Sequence, residues 1–175
     1  MPDFSGDSAS PPHPLRILIV GLNFSPEPTG VGKYSGEMAE WLARCGHSVT
    51  VVSTAHRTSF GASALPASII AAMKEKPHIV GAIVPTLAAA AAALLAARIA
   101  GAESWIHVQD LEGDAAFEHG ILGQAGLGQG GATRRAALAA ERALINRFDL
   151  VTTKSEAMRE RLSRKGVERV ALFFN

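Results

Sequence analysis

The chain has 175 residues, 47% of them hydrophobic, a length that fits one domain with its own core. Seventeen basic against sixteen acidic residues leave a net charge of +1, without the basic excess that nucleic acid as a main partner requires. A single cysteine, Cys45, excludes an internal disulfide and suits a reducing cytosol.

Residues 1–14 are rich in Pro and Ser and carry neither a basic n-region nor an apolar h-region, so they read as a disordered leader and not as a signal peptide. The domain is expected over residues 15–175. Arg16 to Leu22 (RILIVGL) is a nearly continuous apolar run, the pattern of a strand covered on both faces. Val31 to Cys45 is helical, with Met38, Trp41 and Leu42 at helical spacing and Gly46 as the C′ residue. Ser48 to Thr54 is β-branched and reads as a strand. Ala62 to Lys76 is a helix stopped by Pro77. His78 to Val84 is a strand, Leu87 to Ala100 an Ala/Leu helix, and Ser104 to Val108 a fourth strand.

Residues 111–131 hold seven glycines and few periodic apolar positions, as in a loop. Ala132 to Arg147 is helical, Leu150 to Thr153 a strand, and Ser155 to Lys165 a helix with Ser155 as N-cap. Arg169 to Phe174 closes as a strand. Repeated β-α units with short connections specify an α/β fold, a doubly wound parallel sheet with the first strand central. The nineteen uncharged residues from Ile79 to Ala97 are long enough to span a bilayer, but Pro85-Thr86 divides them and the second part is mostly alanine. A buried strand, a turn and a sheet-packed helix account for them better.

The loop after the first strand, residues 23–33 (NFSPEPTGVGK), carries Pro26 and Pro28 and then Gly30 and Gly32 at a helix start. Small residues there expose backbone N–H groups, and a helix N-terminus favours an anion such as phosphate; a glycine turn that merely packs helix on strand is the plainer alternative. Two sharper nucleotide motifs fail. A Walker A loop needs Gly at 27 and Ser or Thr at 34, which are Glu27 and Tyr34, and the dinucleotide fingerprint does not follow the first strand.

The second candidate is His107-Val-Gln-Asp110, at the carboxyl end of a strand and so at the mouth of the crevice. A His there can bond a substrate hydroxyl, or simply be satisfied by a neighbouring carbonyl. His107, Asp110, Asp114 and His119 match no established metal-ligand spacing. Trp41 and Trp105 read as core residues, Cys45 as a small apolar residue at a helix end, and Arg159, Glu160, Arg161, Arg164 and Lys165 as a solvated helix face.

Residues 16–54 (RILIVGLNFSPEPTGVGKYSGEMAEWLARCGHSVTVVST) resemble the opening of bacterial family 4 glycosyltransferases of the colanic-acid and exopolysaccharide biosynthesis type. VPT at 84–86, WIHVQDLEGDAA at 105–116, VTTKSEAMRERLSRKGV at 151–167 and the terminal FFN agree in order. The resemblance implies the Rossmann-like, acceptor-side half of a GT-B fold, facing a C-terminal donor domain that this sequence does not include. It implies a retaining transferase that moves a sugar from a nucleotide-sugar donor to a polysaccharide or lipid-linked acceptor, with no metal and no cofactor. Gly30, Val31, Gly32 and Lys33 then match the loop that approaches the donor diphosphate. His107 matches the cleft histidine that contacts the transferred sugar, and Asp110 the acidic position after it.

The family also carries a longer segment before the second helix, whereas here that helix begins within about ten residues of Thr54, shortening the acceptor wall. A cytoplasmic location, with peripheral contact at the inner face of the membrane, goes with this reading. Two rivals stand beside it: a non-catalytic Rossmann-like module that complements a separate donor domain, and a dehydrogenase, which the failed fingerprint disfavours.

Overall fold

The computed structural model describes residues 13–21, 30–53, 60–84, 87–109 and 131–173. Strands and helices alternate: β1 (Arg16–Gly21), α1 (Gly30–Arg44), β2 (Ser48–Ser53), α2 (Phe60–Glu75), β3 (Ile79–Val84), α3 (Leu87–Ala100), β4 (Glu103–Val108), α4 (Gly131–Ile145), β5 (Leu150–Thr153), α5 (Glu156–Arg164) and β6 (Val170–Leu172). The strands form one six-stranded sheet in the order β2-β1-β3-β4-β5-β6, and every pairing is parallel. This is a Rossmann-like, doubly wound α/β sheet. β1 is interior, flanked by β2 and β3, but β3 and β4 occupy the middle.

The strand order dictates where the helices go. The chain leaves β1 toward β2, returns across β1 to β3, and then moves steadily the other way. With right-handed crossovers, that reversal puts α1 on one face and the later helices on the opposite one. Two separate cores result. Leu18, Val20, Val80, Ala82, Ile106, Val108 and Val151 meet α2, α3 and residues such as Ile145, Met158 and Leu162. On the other face Ile17, Ile19 and Ile83 meet Tyr34, Met38 and Ala39 of α1. Both faces of β1 are therefore covered, which is why Ile17 through Gly21 are all buried and its sequence is unbroken apolar.

Local chemistry sets the helix ends. At the end of α1, Gly46 (φ 89°) donates to the Ala43 carbonyl at 2.9 Å and His47 to the Leu42 carbonyl at 3.2 Å, the paired bonds of a Schellman cap. Gly166 (φ 82°) ends α5 in the same way, through Ser163 and Leu162. Ser155 caps α5, its hydroxyl accepting from the Met158 N–H at 3.2 Å. The uncharged stretch beginning at Ile79 resolves into β3 and α3, whose Ala89, Ala90, Ala92, Ala93, Ala96 and Ala97 are buried. Among the described residues, no helix is long and apolar enough to cross a membrane.

Two expectations are corrected. Trp41 is 47% exposed and not in the core. The buried arc of α1 runs through Tyr34, Ser35, Met38, Ala39 and the half-buried Leu42, and one residue before Leu42 the helix has turned about 100° away. Lys165 does not belong to a solvated face either: its ammonium pairs at 3.1 Å with Glu141, a residue only 3% exposed. The other four charged residues of that group, Arg159, Glu160, Arg161 and Arg164, are exposed. Residues 1–12 of the expected leader, and the glycine-rich segment from 111 to 130, lie outside the described residues.

Candidate active site

In an open α/β sheet the crevice forms at the carboxyl edge, where strand order reverses. Here that point lies between β1 and β3. The elements that flank it are the start of α1 and the end of β4, next to β3. Gly30 opens α1, with Val31 following, and Gly32 is buried in its first turn. That turn contains no acidic side chain. Lys33 extends into solvent with its side chain 73% exposed and pairs with Glu37 at 3.8 Å. The helix N-terminus is a positive end, and its first turn holds no carboxylate to neutralise it.

His107 is the penultimate residue of β4, in register with Ile83 of β3 and Thr152 of β5. It is at the carboxyl end, as its place in the motif implies, yet it is fully buried and not exposed at a mouth. Three rings enclose it on the α1 face. Tyr34 stacks on the imidazole at 5.0 Å between centroids and 11° between planes. Trp105 lies tilted at 6.3 Å, and Phe173, just beyond β6, meets it edge-on at 6.2 Å. Gly81 makes room for the Trp105 indole, since a Cβ there would lie 2.7 Å from Trp105 Cε3.

The polar bonds converge on Thr152. Its hydroxyl accepts from Trp105 Nε1–H at 2.8 Å, meets His107 Nδ1 at 2.9 Å and reaches the Ile106 carbonyl at 3.4 Å. The adjacent Thr153 donates from Oγ1 to the Val108 carbonyl at 2.8 Å on the other face. At the far end of the same two strands, Asp149 accepts from the Ser104 N–H at 2.9 Å and the Ser104 hydroxyl at 2.5 Å. Those bonds hold its carboxyl below the usual range. β4 and β5 are thus tied at both ends, which fixes the strand that carries His107.

Burial sets the titration of the stacked pair. Desolvation lowers the His107 pKa to about 4, with the positive charge of Lys154 adding to the effect, so the imidazole is neutral at pH 7. Desolvation likewise raises the Tyr34 phenol to about 12. Among the described residues, Tyr34 Oη, His107 Nε2 and the Gln109 side-chain nitrogen are buried without a hydrogen-bond partner. Buried polar atoms without a partner are uncommon, and these three belong to the first turns of α1 and to the carboxyl end of β4.

The sequence pointed to His107 and to the glycine loop, and the structure brings α1 onto β4 through Tyr34. Asp110, and with it Asp114 and His119, lies outside the described residues. Sequence reading missed Tyr34 and Thr152. For Tyr34 a signal existed: it is one helical turn after Gly30, four residues before the buried Met38, and so on the sheet-facing arc. Thr152 had only its place in a strand-end Thr-Thr pair. A cavity of about 460 Å³ lined by Asn146, Arg147, Asp149, Glu168 and Arg169 opens at the opposite, amino-terminal edge, away from where such sheets bind ligands.

Comparison with known proteins agrees with this architecture. A family model described as the glycosyl transferase 4-like domain matches residues 55–174. WcaI of Escherichia coli (strain K12), whose name places it as a glycosyl transferase in colanic acid biosynthesis, is 33% identical over 207 residues, covering 92% of this chain and 50% of WcaI. Two crystal structures of Anabaena HepE share the fold. The complex with UDP-glucose aligns with a TM-score of 0.53 at 20% identity, and the complex with UDP and glucose with 0.51 at 21%. Each alignment covers 92% of this chain and 44% of HepE. The chain spans about half the length of the relatives it matches.

Proposed function

The chain belongs to the glycosyl transferase 4-like domain family, and on that premise we propose that it forms the acceptor-side half of a retaining glycosyltransferase. The donor is a nucleotide sugar, and the acceptor a growing polysaccharide or a lipid-linked saccharide. The family match over residues 55–174 carries this reading. The name of WcaI supports an exopolysaccharide product, and the HepE complexes with UDP-glucose and with UDP and glucose support the donor class. The enzyme works in the cytoplasm, at the inner face of the membrane where a lipid-linked acceptor would be presented.

In this reading the residues have distinct tasks. Sugar transfer from a nucleotide diphosphate leaves negative charge on the departing diphosphate, and stabilising that charge is the main electrostatic demand. The backbone N–H groups of Gly30, Val31, Gly32 and Lys33, at the positive end of α1, supply part of it. His107, held neutral by burial, contacts the transferred sugar through Nε2, and Asp110, the acidic position of the same motif, shares the catalytic role. A chimera joining this chain to the C-terminal half of WcaI tests the proposal. Transfer of radiolabelled sugar from a UDP- or GDP-sugar to a lipid-linked acceptor, with retained anomeric configuration by NMR, is the expected result. A folded chimera that binds no nucleotide sugar would return the chain to a non-catalytic partner module.

A further inference from the structure

Thr152 Oγ1 has three polar neighbours: Trp105 Nε1, His107 Nδ1 and the Ile106 carbonyl. A threonine hydroxyl has one hydrogen to donate and two lone pairs to accept with, and an indole N–H can only donate. Trp105 therefore occupies one lone pair of Thr152 Oγ1 at 2.8 Å. Left over are one hydroxyl hydrogen and one lone pair, and two neighbours to share them: the Ile106 carbonyl at 3.4 Å, which can only accept, and His107 Nδ1 at 2.9 Å, which can do either. If Nδ1 carries the ring proton, the lone pair takes it and the hydroxyl hydrogen goes to Ile106, so all three neighbours are served and Nε2 is left as a buried acceptor, which proteins tolerate more readily than a buried N–H without a partner. If Nδ1 is bare, the hydroxyl hydrogen turns to it, one lone pair stays empty, and the proton sits on Nε2 as a buried donor with no partner among the described residues.

We propose that Thr152, itself aligned by Trp105, is a positioning residue that locks His107 in the Nδ1–H tautomer and leaves Nε2 as a pure hydrogen-bond acceptor. The burial that keeps the imidazole neutral at pH 7 leaves the ring a single proton, so the tautomer alone decides what Nε2 can do. An acceptor nitrogen takes a hydrogen bond from an O–H group. It suits a ligand hydroxyl, and it does not suit a phosphate or carbonyl oxygen, which offers no hydrogen. The site at His107 therefore selects a hydroxyl-bearing portion of the ligand, and the anionic portion is left to the α1 terminus. This use of the tautomer rests on the glycosyltransferase reading; the tautomer itself does not.

The test is long-range ¹H–¹⁵N NMR of the 175-residue chain with ¹⁵N-labelled histidine, in which protonated and bare ring nitrogens separate widely. Between pH 6 and 8 the His107 ring is expected to show a protonated Nδ1 and a bare Nε2. Thr152→Ser, which keeps the hydroxyl, retains that pattern, while Thr152→Val, of equal shape without it, shifts population toward Nε2–H. A protonated Nε2 in the unsubstituted chain overturns the proposal without recourse to any variant. So does a Thr152→Val protein whose ring spectrum is unchanged. In the chimera, Thr152→Val lowers turnover with the nucleotide sugar and Thr152→Ser keeps it. Failure of the chimera to transfer sugar with the expected tautomer present counts against the enzymatic reading and not against the lock.

Discussion

The phenol ring of Tyr34, on the first helix, stacks within 11° of parallel on the imidazole of His107, at 5.0 Å, and His107 is fully buried. The contact joins α1 to the carboxyl end of β4 across β3, so the glycine start of the helix and the histidine of the strand are parts of one assembly. The stacked ring contributes beyond its buried area, while the Tyr34 hydroxyl is buried without a partner among the described residues. Tyr34→Phe, which removes only that hydroxyl, is expected to leave stability unchanged or raise it by about 1 kcal/mol. Tyr34→Ala is expected to cost about 3 kcal/mol or more. Urea midpoints of the two variants check this, and a Phe variant less stable than the parent would show that the hydroxyl is bonded.

His107 also links folding to pH. Its pKa falls from 6.5 to about 4 in the folded chain, through burial first and the charge of Lys154 second; Tyr34, the titratable group stacked on it, stays neutral throughout this range. The unfolded chain therefore binds one more proton than the folded chain between those values. Stability from this group is complete above about pH 6.5 and is lost as pH falls toward 4, by about 3 kcal/mol. His107→Gln, which cannot titrate, should flatten the dependence of unfolding free energy on pH in that window. An unaltered slope would show that the imidazole is protonated in the folded chain. Asp149, depressed by its Ser104 bonds, acts lower, below the ordinary carboxylate range, so the two windows are separable.

Gly81→Ala would place a methyl group 2.7 Å from Trp105 Cε3, closer than two carbons tolerate. The indole must shift, taking Nε1 away from Thr152. The expected loss is about 1–3 kcal/mol, with a change in Trp105 fluorescence. A variant of parental stability with an unchanged emission spectrum would show that the strand yields and the indole stays.

Removing one member of a buried ion pair exposes the penalty of the other. Lys165→Met leaves the Glu141 carboxylate nearly inaccessible and without its 3.1 Å ammonium partner, for an expected loss of about 3 kcal/mol at pH 7. The double variant Lys165→Met, Glu141→Leu should recover most of that loss. A double variant as unstable as the single would assign the effect to packing of the lysine stem instead of charge.

Under the proposed function, His107→Ala in the chimera should lower turnover about ten- to a thousandfold, the range for a removed polar contact at the reacting region. Gly32→Val should raise the donor KM, because its side chain would enter the buried first turn of α1. Steady-state kinetics with the nucleotide sugar distinguish the two effects. Parental kinetics in either folded variant would remove that residue from the site.

Much of the architecture was legible because the signals are local. Unbroken apolar runs such as Ile17–Val20, breakers such as Pro77, the cap at Ser155 and the C′ glycine at Gly46 each act within a turn or a strand, and the elements they predict agree with those observed to within about two residues at most ends. His107 was found by its position at a strand end together with its motif. The sequence by itself also determined a parallel sheet, since alternating strands and helices with short connections leave few other folds. It did not determine the burial of His107, the exposure of Trp41 or the pairing of Lys165 with Glu141. Those depend on which strands become neighbours and on which helix crosses which face. The order β2-β1-β3-β4-β5-β6 sets Thr152 beside His107 and lays Trp105 over Gly81. Periodicity tells a side chain which face to take, but only register and strand order decide what it meets there.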